Sequence, residues 1–308
     1  MITRVEEILT RVKDSARRYR MVLACADSGS ALETVFQAQK SGLADSVLVG
    51  DRDAILKKAE DVNVDISDFQ IEHFAGDQQE IVNHSLEMIK AGDADFIMKG
   101  QVSTRNVLKG VLNKNFGFRT GRTLSHIGVF NVPGEERVLI ISDAAVNIQP
   151  DLKKKREILI NAVGVAHALE IERPKVAMLS YIEEASDPTV PSTADADFLA
   201  KMSKIGAFQD CVVEGPYSLD VALSPEAARI KGVAGEVAGQ ADVLITHDIG
   251  MGNVLYKALL LWCKPTIAGV LVGAKIPVVI TSRSDSMNTK LNSIALSVMV
   301  AMHNPQQA

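Results

Sequence analysis

The chain is poor in the residues that staple, anchor or metallate a protein. Only three cysteines occur in 308 residues. Cys25, Cys211 and Cys263 lie far apart and form no Cys-x-x-Cys pair, which argues against a disulfide framework and fits a reducing compartment. No apolar run reaches the length of a membrane span. The first twenty residues are charged throughout, and the apolar run Met21–Ala26 is short and closes on Asp27, so no secretory signal is expected and the cytoplasm is the default. Positive charge is not in excess either. A net charge of −5 argues against a general nucleic-acid or membrane-surface binder, while leaving room for local basic patches. The six histidines show no metal-ligand spacing, and Asp195 and Asp197 have no evident partners for a metal site. Walker and Gly-x-Ser-x-Gly motifs are absent. Gly250–Leu255 imitates a dinucleotide fingerprint but ends in leucine and lacks a ribose-binding acid about 20 residues on.

What is present is an ordinary globular composition, 47% hydrophobic and 23% charged, with chain enough for two domains. Short apolar runs read as strands at 21–26, 46–50, 69–74, 95–100, 137–142, 175–180, 211–214, 242–248 and 277–281. Between them lie helical patterns, among them 78–90, 151–169, 194–205, 225–239 and 254–263. That alternation predicts an α/β chain with largely parallel sheets flanked by helices. The texture breaks between Phe116 and Gly134, where glycine, arginine and Pro133 interrupt it, so a domain boundary is expected there. The helix 254–263 is apolar nearly all round, which places it in a core or at a subunit interface.

The stretch from Pro277 to Met302 organises the chain. A short apolar run delivers Ser282-Arg283-Ser284-Asp285-Ser286 to a helix whose apolar residues recur at Leu291, Ile294, Ala295, Val298, Met299 and Met302. A helix N-terminus favours anions, and Arg283 adds a planar fork suited to phosphate. Ser284, Asp285 and Ser286 are also good capping residues. Lys99-Gly100-Gln101-Val102-Ser103-Thr104 repeats the grammar of strand end, glycine, hydroxyls and helix, and Arg105 and Lys109 share the next helix face. Further strand ends carry Ser142-Asp143, Glu214-Gly215-Pro216 and His247-Asp248. Ligands of parallel α/β sheets sit outside the carboxyl ends of strands, so this set reads as one cleft rich in phosphate donors and poor in metal ligands.

On KGQVST at 99–104, SHIGVF at 125–130, SDAAVNIQPDL at 142–152, EGPYSLDVALS at 214–224, ADVLITHDIGMGNVLYKAL at 241–259 and PVVITSRSDS at 277–286, the chain resembles the phosphate acetyltransferase/phosphate butyryltransferase family, and more closely its butyryl branch. The resemblance implies conversion of acyl-CoA and inorganic phosphate into acyl phosphate and CoA, by direct transfer in a ternary complex and without a metal or redox cofactor. It implies two α/β domains, 1–118 with 270–308 and 119–269, an active-site cleft between them, and a homodimer or larger homo-oligomer. It assigns Ser282 to the oxyanion and Arg283 to phosphate, with Lys109 where the family carries a second arginine. The acetyl branch's catalytic aspartate falls at Thr289 here, which cannot act as a base, leaving Asp285 and Asp248 as the available carboxylates. Lys99, Ser103, Thr104, Ser142, Asp143, Asn147, Gly252 and Asn253 complete the expected substrate contacts. Three other readings remain open at this stage: phosphate acetyltransferase, a non-catalytic acyl-CoA sensor, and a metal- and NAD-dependent decarboxylating dehydrogenase.

Overall fold

The computed structural model describes every residue except Ser186, Pro188, Arg283, Ser284 and 304–308. In chain order the elements are α1 (Val5–Lys13), β1 (Arg20–Ala24), α2 (Gly29–Lys40), β2 (Asp45–Gly50), α3 (Arg52–Asp61), β3 (Gln70–His73), α4 (Gln78–Ala91), β4 (Phe96–Lys99) and α5 (Thr104–Val111). Next come β5 (Ser125–Asn131), β6 (Leu139–Ser142), α6 (Leu152–Ala168), β7 (Lys175–Leu179), α7 (Pro191–Lys204), β8 (Val212–Tyr217), α8 (Leu219–Leu223), α9 (Pro225–Ile230), β9 (Val243–Ile245) and α10 (Ile249–Ala258). The chain closes with β10 (Thr266–Val272), β11 (Val278–Val279) and α11 (Met287–Met302).

These elements fall into two compact units. One comprises Met1–Val5 and Thr123–Ile267, the other Glu6–Arg122 and Ala268–Ala308. In the unit of Glu6–Arg122 and Ala268–Ala308, the strands run in the order β3-β2-β1-β4-β11-β10. All pairings are parallel except that of β10 with β11. Phe96, Ile97 and Met98 of β4 are fully buried, and such side chains each contribute about 1.5–3 kcal/mol. A buried parallel strand must be apolar on both faces, and β4 is. The inserted unit has the order β5-β6-β9-β7-β8, parallel except for the β5–β6 pair. In the unit of Glu6–Arg122 and Ala268–Ala308 the exit and return of the chain are tied together: the Lys275 N–H donates to the Phe118 carbonyl at 2.8 Å, and the Thr120 hydroxyl donates to the Gly273 carbonyl.

Several elements depart from their sequence patterns. The helix expected over 225–239 stops at Ile230, because Gly232 and Gly239 adopt positive φ values of 68° and 75°, a conformation that ends helices. The strand expected over 242–248 is only Val243–Ile245, and α10 begins at Ile249, where a turn is expected. Beyond Ala258 the backbone widens into a π-helical turn, Leu259–Cys263. Leu261 and Trp262 are exposed there, at 72% and 82%, so this segment is not in the core of the chain. Strand β8 continues through Gly215–Pro216 rather than ending there. The run at 277–281 shrinks to Val278–Val279. Finally, α11 is buried nearly all round, including Asn292, Ser293 and Ser297. Its hydroxyls are spent locally: Ser293 Oγ donates to the Thr289 carbonyl at 2.7 Å and accepts from the Gly269 N–H at 3.0 Å.

Candidate active site

In the unit of Glu6–Arg122 and Ala268–Ala308, the carboxyl ends of β1 and β4 and the segment after β11 surround a cavity of ≈ 260 Å³. Ser28, Ser30, Lys99, Ser103, Ser282 and Lys290 are among its walls. Gly100 lets the β4 end lie close: a side chain there would run into the carbonyl oxygens of Cys25 and Ala24. The Gly100 and Gln101 N–H groups instead donate to the Ala24 and Cys25 carbonyls at 2.9 and 2.8 Å. Lys99 turns its Nζ toward the Val102 carbonyl, at 3.2 Å. The twelve-residue α2 starts at this cavity, and its N-cap Ser28 makes no side-chain capping bond, so its first N–H groups keep their affinity for anions. The thiol of Cys25 is pushed up to about 12, first by burial and then by Asp27 and Asp77, so it is protonated and no nucleophile at neutral pH.

Lys290 is the residue that sequence reasoning missed. It is 7% exposed, lines the cavity, and donates to the Ser30 hydroxyl. Among the described residues it has no carboxylate partner. A buried ammonium is stable only when paired or solvated by dipoles, and one hydroxyl is a weak partner, so the place suits an added anion. The only local signal is a lysine inside an otherwise apolar helical stretch.

Around it, Asp285 Oδ2 accepts from the Ser282 N–H at 2.7 Å. Ser286 caps α11 by accepting from the Thr289 N–H at 3.2 Å. Ser103 caps α5, accepting from the Asn106 N–H at 3.1 Å, and Thr104 begins that helix half-buried. Lys109 is exposed on α5 and has no ion-pair partner among the described residues. Arg283 lies outside the described residues. Ser282, Asp285, Lys99, Ser103, Thr104 and Lys109 thus belong to this one unit, and six of the expected residues, Ser142, Asp143, Asn147, Asp248, Gly252 and Asn253, lie in the other.

Those and their neighbours gather in the inserted unit at the ends of β6 and β9. Asp143 is 2% exposed and accepts from the N–H groups of Ala145, Val146 and Asn147 at 2.8, 3.1 and 3.1 Å. Asn147 Nδ2 also donates to the Leu124 carbonyl at 2.8 Å, and Asn253 Nδ2 to the Ala144 carbonyl at 3.1 Å. Gly252 is buried where a side chain would meet the Asp143 carbonyl oxygen. Asp248 caps α10, accepting from the Met251 N–H at 2.8 Å. The Ser142 hydroxyl is buried with no partner among the described residues, as is that of Ser180 at the end of β7. Beside them Lys155 Nζ, on α6, lies 2.6 Å from Asp195 Oδ2 and 2.7 Å from His247 Nδ1. Burial first, and then Lys155, hold the His247 imidazole below its ordinary pKa, against Asp248 and Asp195. Asp195 is therefore spent on Lys155, and Asp197 on Lys201 at 2.6 Å. Among the described residues no three His, Cys, Asp or Glu side chains are grouped to hold a metal ion, and no helix is long and apolar enough to cross a membrane.

Residues 78–298 match the family described as "Phosphate acetyl/butaryl transferase". The chain is 45% identical over 301 residues to the phosphate butyryltransferase of Clostridium acetobutylicum, a match covering 98% of this chain and 99% of that one. It is 37% identical to the phosphate acetyltransferase of Thermotoga maritima, over 92% of this chain and 95% of that one. A branched-chain phosphotransacylase from Enterococcus faecalis superposes with a TM-score of 0.80 at 28% identity, covering 92% of this chain and 99% of that chain.

Proposed function

The chain belongs to the phosphate acetyltransferase/phosphate butyryltransferase family and is an acyltransferase enzyme, and from that premise we propose that its reaction is butyryl-CoA plus phosphate giving butyryl phosphate plus CoA. The observation that carries the butyryl preference is the match over nearly the full length to a phosphate butyryltransferase. The reaction exchanges a thioester for an acyl phosphate of similar reactivity, so the protein's task is to hold two anionic substrates together, stabilise one oxyanion and manage the thiol proton. No metal or redox cofactor is needed for this chemistry.

In this reading phosphate sits against Arg283, Lys99, Lys290 and the open N-terminus of α2, with Lys109, Ser103 and Thr104 at the edge of the same site. Ser282 donates to the oxyanion of a tetrahedral intermediate formed by direct transfer in a ternary complex. Asp285 or Asp248 takes the proton, each having one carboxylate oxygen already engaged by a backbone N–H. Asp143, Asn147, Asn253 and Gly252 shape the loop after β6, beside the buried Ser142 hydroxyl, which has no partner among the described residues. The enzyme works in the cytoplasm as a homodimer or larger homo-oligomer, and exposed Leu261 and Trp262 support a self-association surface. Analytical ultracentrifugation showing a monomer at micromolar concentration would remove that last statement. The activity is tested by thiol release from acetyl-, butyryl- and branched acyl-CoA with and without phosphate. Phosphate-dependent release fastest with butyryl-CoA is expected; equal or faster use of acetyl-CoA removes the butyryl assignment.

A further inference from the structure

Three parallel strands of the inserted unit end side by side. Ser142 of β6 and Met178 of β7 both stand in register with Ile245 of the central strand β9. Two residues beyond Ile245 comes His247, and two beyond Met178 comes Ser180. The carboxyl end of such a sheet is where ligands bind, and the hydroxyls of Ser142 and Ser180 there are buried with no partner among the described residues, polar groups that secondary structure leaves unsatisfied.

His247 is fixed at this place through one ring nitrogen. Lys155 Nζ is 2.7 Å from Nδ1 and 2.6 Å from the Asp195 carboxylate. An ammonium paired with a carboxylate has only protons to offer, so Nδ1 accepts. In a neutral imidazole the other nitrogen must then carry the proton. Nε2 has no partner among the described residues and is not sealed from solvent. The charged groups facing the ring are Lys155 from α6, Asp195 from α7, and Asp248 from its own turn.

We propose that Lys155 holds His247 as the neutral Nε2–H tautomer, so that His247 serves as a hydrogen-bond donor to an oxygen of the substrate and not as the acid or base of the transfer. Lys155 is the positioning residue and His247 the one that touches substrate. A neutral donor stabilises developing negative charge without surrendering a proton, which an imidazolium would do readily. The proposal rests on the acyltransferase reading for its substrate, but not for its tautomer.

Long-range nitrogen–proton spectra of the full chain carrying labelled histidine test the tautomer, with His247→Gln assigning the resonance. Across about pH 6 to 8, the range in which an ordinary histidine titrates, Nδ1 is expected to be of the acceptor type and Nε2 of the N–H type. An Nδ1–H tautomer, or an imidazolium in that range, overturns the proposal. In Lys155→Met the two tautomers are expected to mix and the ring to titrate at higher pH. An unchanged spectrum in that variant overturns the role of Lys155; if the variant does not fold, the wild-type spectrum still decides the tautomer. In acyl-transfer assays His247→Leu is expected to lose about 10²-fold in turnover, the loss of one donor. His247→Gln, which keeps an N–H, loses several-fold less. Equal losses in the two variants, or none in His247→Leu, overturn the donor role. A fall in kcat places the acceptor oxygen on the acyl group, and a rise in the phosphate Michaelis constant places it on phosphate. Absence of acyl transfer in the wild-type chain removes the functional reading and leaves the spectra to decide the tautomer.

Discussion

The ammonium of Lys290 donates to the hydroxyl of Ser30, 260 positions earlier in the chain. The pair joins the first turn of α11 to the first turn of α2 across the cavity that Lys99 also lines. Lys290→Met is therefore expected to raise the phosphate Michaelis constant about tenfold or more, roughly the 1.5–3 kcal/mol of one charge-assisted hydrogen bond. Thermal stability is expected to hold or rise, because an isosteric apolar chain replaces a poorly paired buried charge. Steady-state kinetics beside a melting curve check this. A variant that melts much earlier but binds phosphate normally makes Lys290 a structural residue.

Asp285 and Asp248 are the two carboxylates proposed for the thiol proton, and asparagine separates them cleanly. Asparagine is as good a helix cap as aspartate, so Asp248→Asn is expected to keep α10 and its stability. Asp285→Asn likewise keeps an oxygen for the Ser282 N–H. The variant lacking the base is expected to lose about 10²–10⁴-fold in kcat together with one limb of the pH–rate profile. Ser282→Ala is expected to lower kcat about 10²–10³-fold with little change in either Michaelis constant. Wild-type rates in both asparagine variants would assign the proton to water or to a group other than these two carboxylates.

Asp143 is expected to matter for stability before it matters for catalysis. Its buried carboxylate satisfies three consecutive backbone N–H groups. Asp143→Ala strands them, at a cost on the order of 3 kcal/mol, readable as a shifted denaturation midpoint. A shift under about 0.5 kcal/mol, the size of an ordinary surface substitution, would mean that water replaces the carboxylate.

Cys25 has its thiol pushed up to about 12 and Cys211 to about 11, from 9.0, both chiefly by burial. The folded state therefore holds these protons more tightly than the unfolded chain, and stability falls as pH rises from 9.0 toward those values. Below that window the two thiols contribute no pH dependence. Iodoacetamide at pH 8 is expected to spare Cys25 in the folded protein and label it after denaturation. Rapid labelling of Cys25 in the folded protein would contradict a buried, protonated thiol.

Sheet and site were legible to different depths. Strands such as β1 and β4 stood out because burial on both faces forces a continuous apolar run. Strand β10, TIAGVLV, went unread because it follows the apolar Leu259–Cys263 turn almost directly, and only Lys264, at φ 47°, and Pro265 punctuate the two. The hydroxyl-rich ends after β4 and β11 were visible as short motifs. The pairing of Lys290 with Ser30 was not, since nothing local to either residue refers to the other. Lys155 is the third of three consecutive lysines, Lys153–Lys155, yet it is 2% exposed, and its partners come from outside its own helix. Asp143 and Asp248 read as ligands or bases from their place at strand ends. Their backbone bonds, which occupy part of each carboxylate, follow from turn geometry that spacing alone does not reveal.

Strand β4 pairs with β1 on one side and with β11 on the other, and about 180 residues of sequence separate the two strands of the second pairing. A ribosome emits β4 long before β11. During that interval one edge of a strand carrying the apolar Phe96, Ile97 and Met98 is open, and an open apolar edge invites pairing with other chains. The inserted unit, 123–267 apart from Met1–Val5, emerges in one piece and can close while the surrounding unit still waits for its last three elements. The nascent chain is therefore most exposed to aggregation between the synthesis of Lys99 and that of Val279, and a holdase chaperone would find its target at β4.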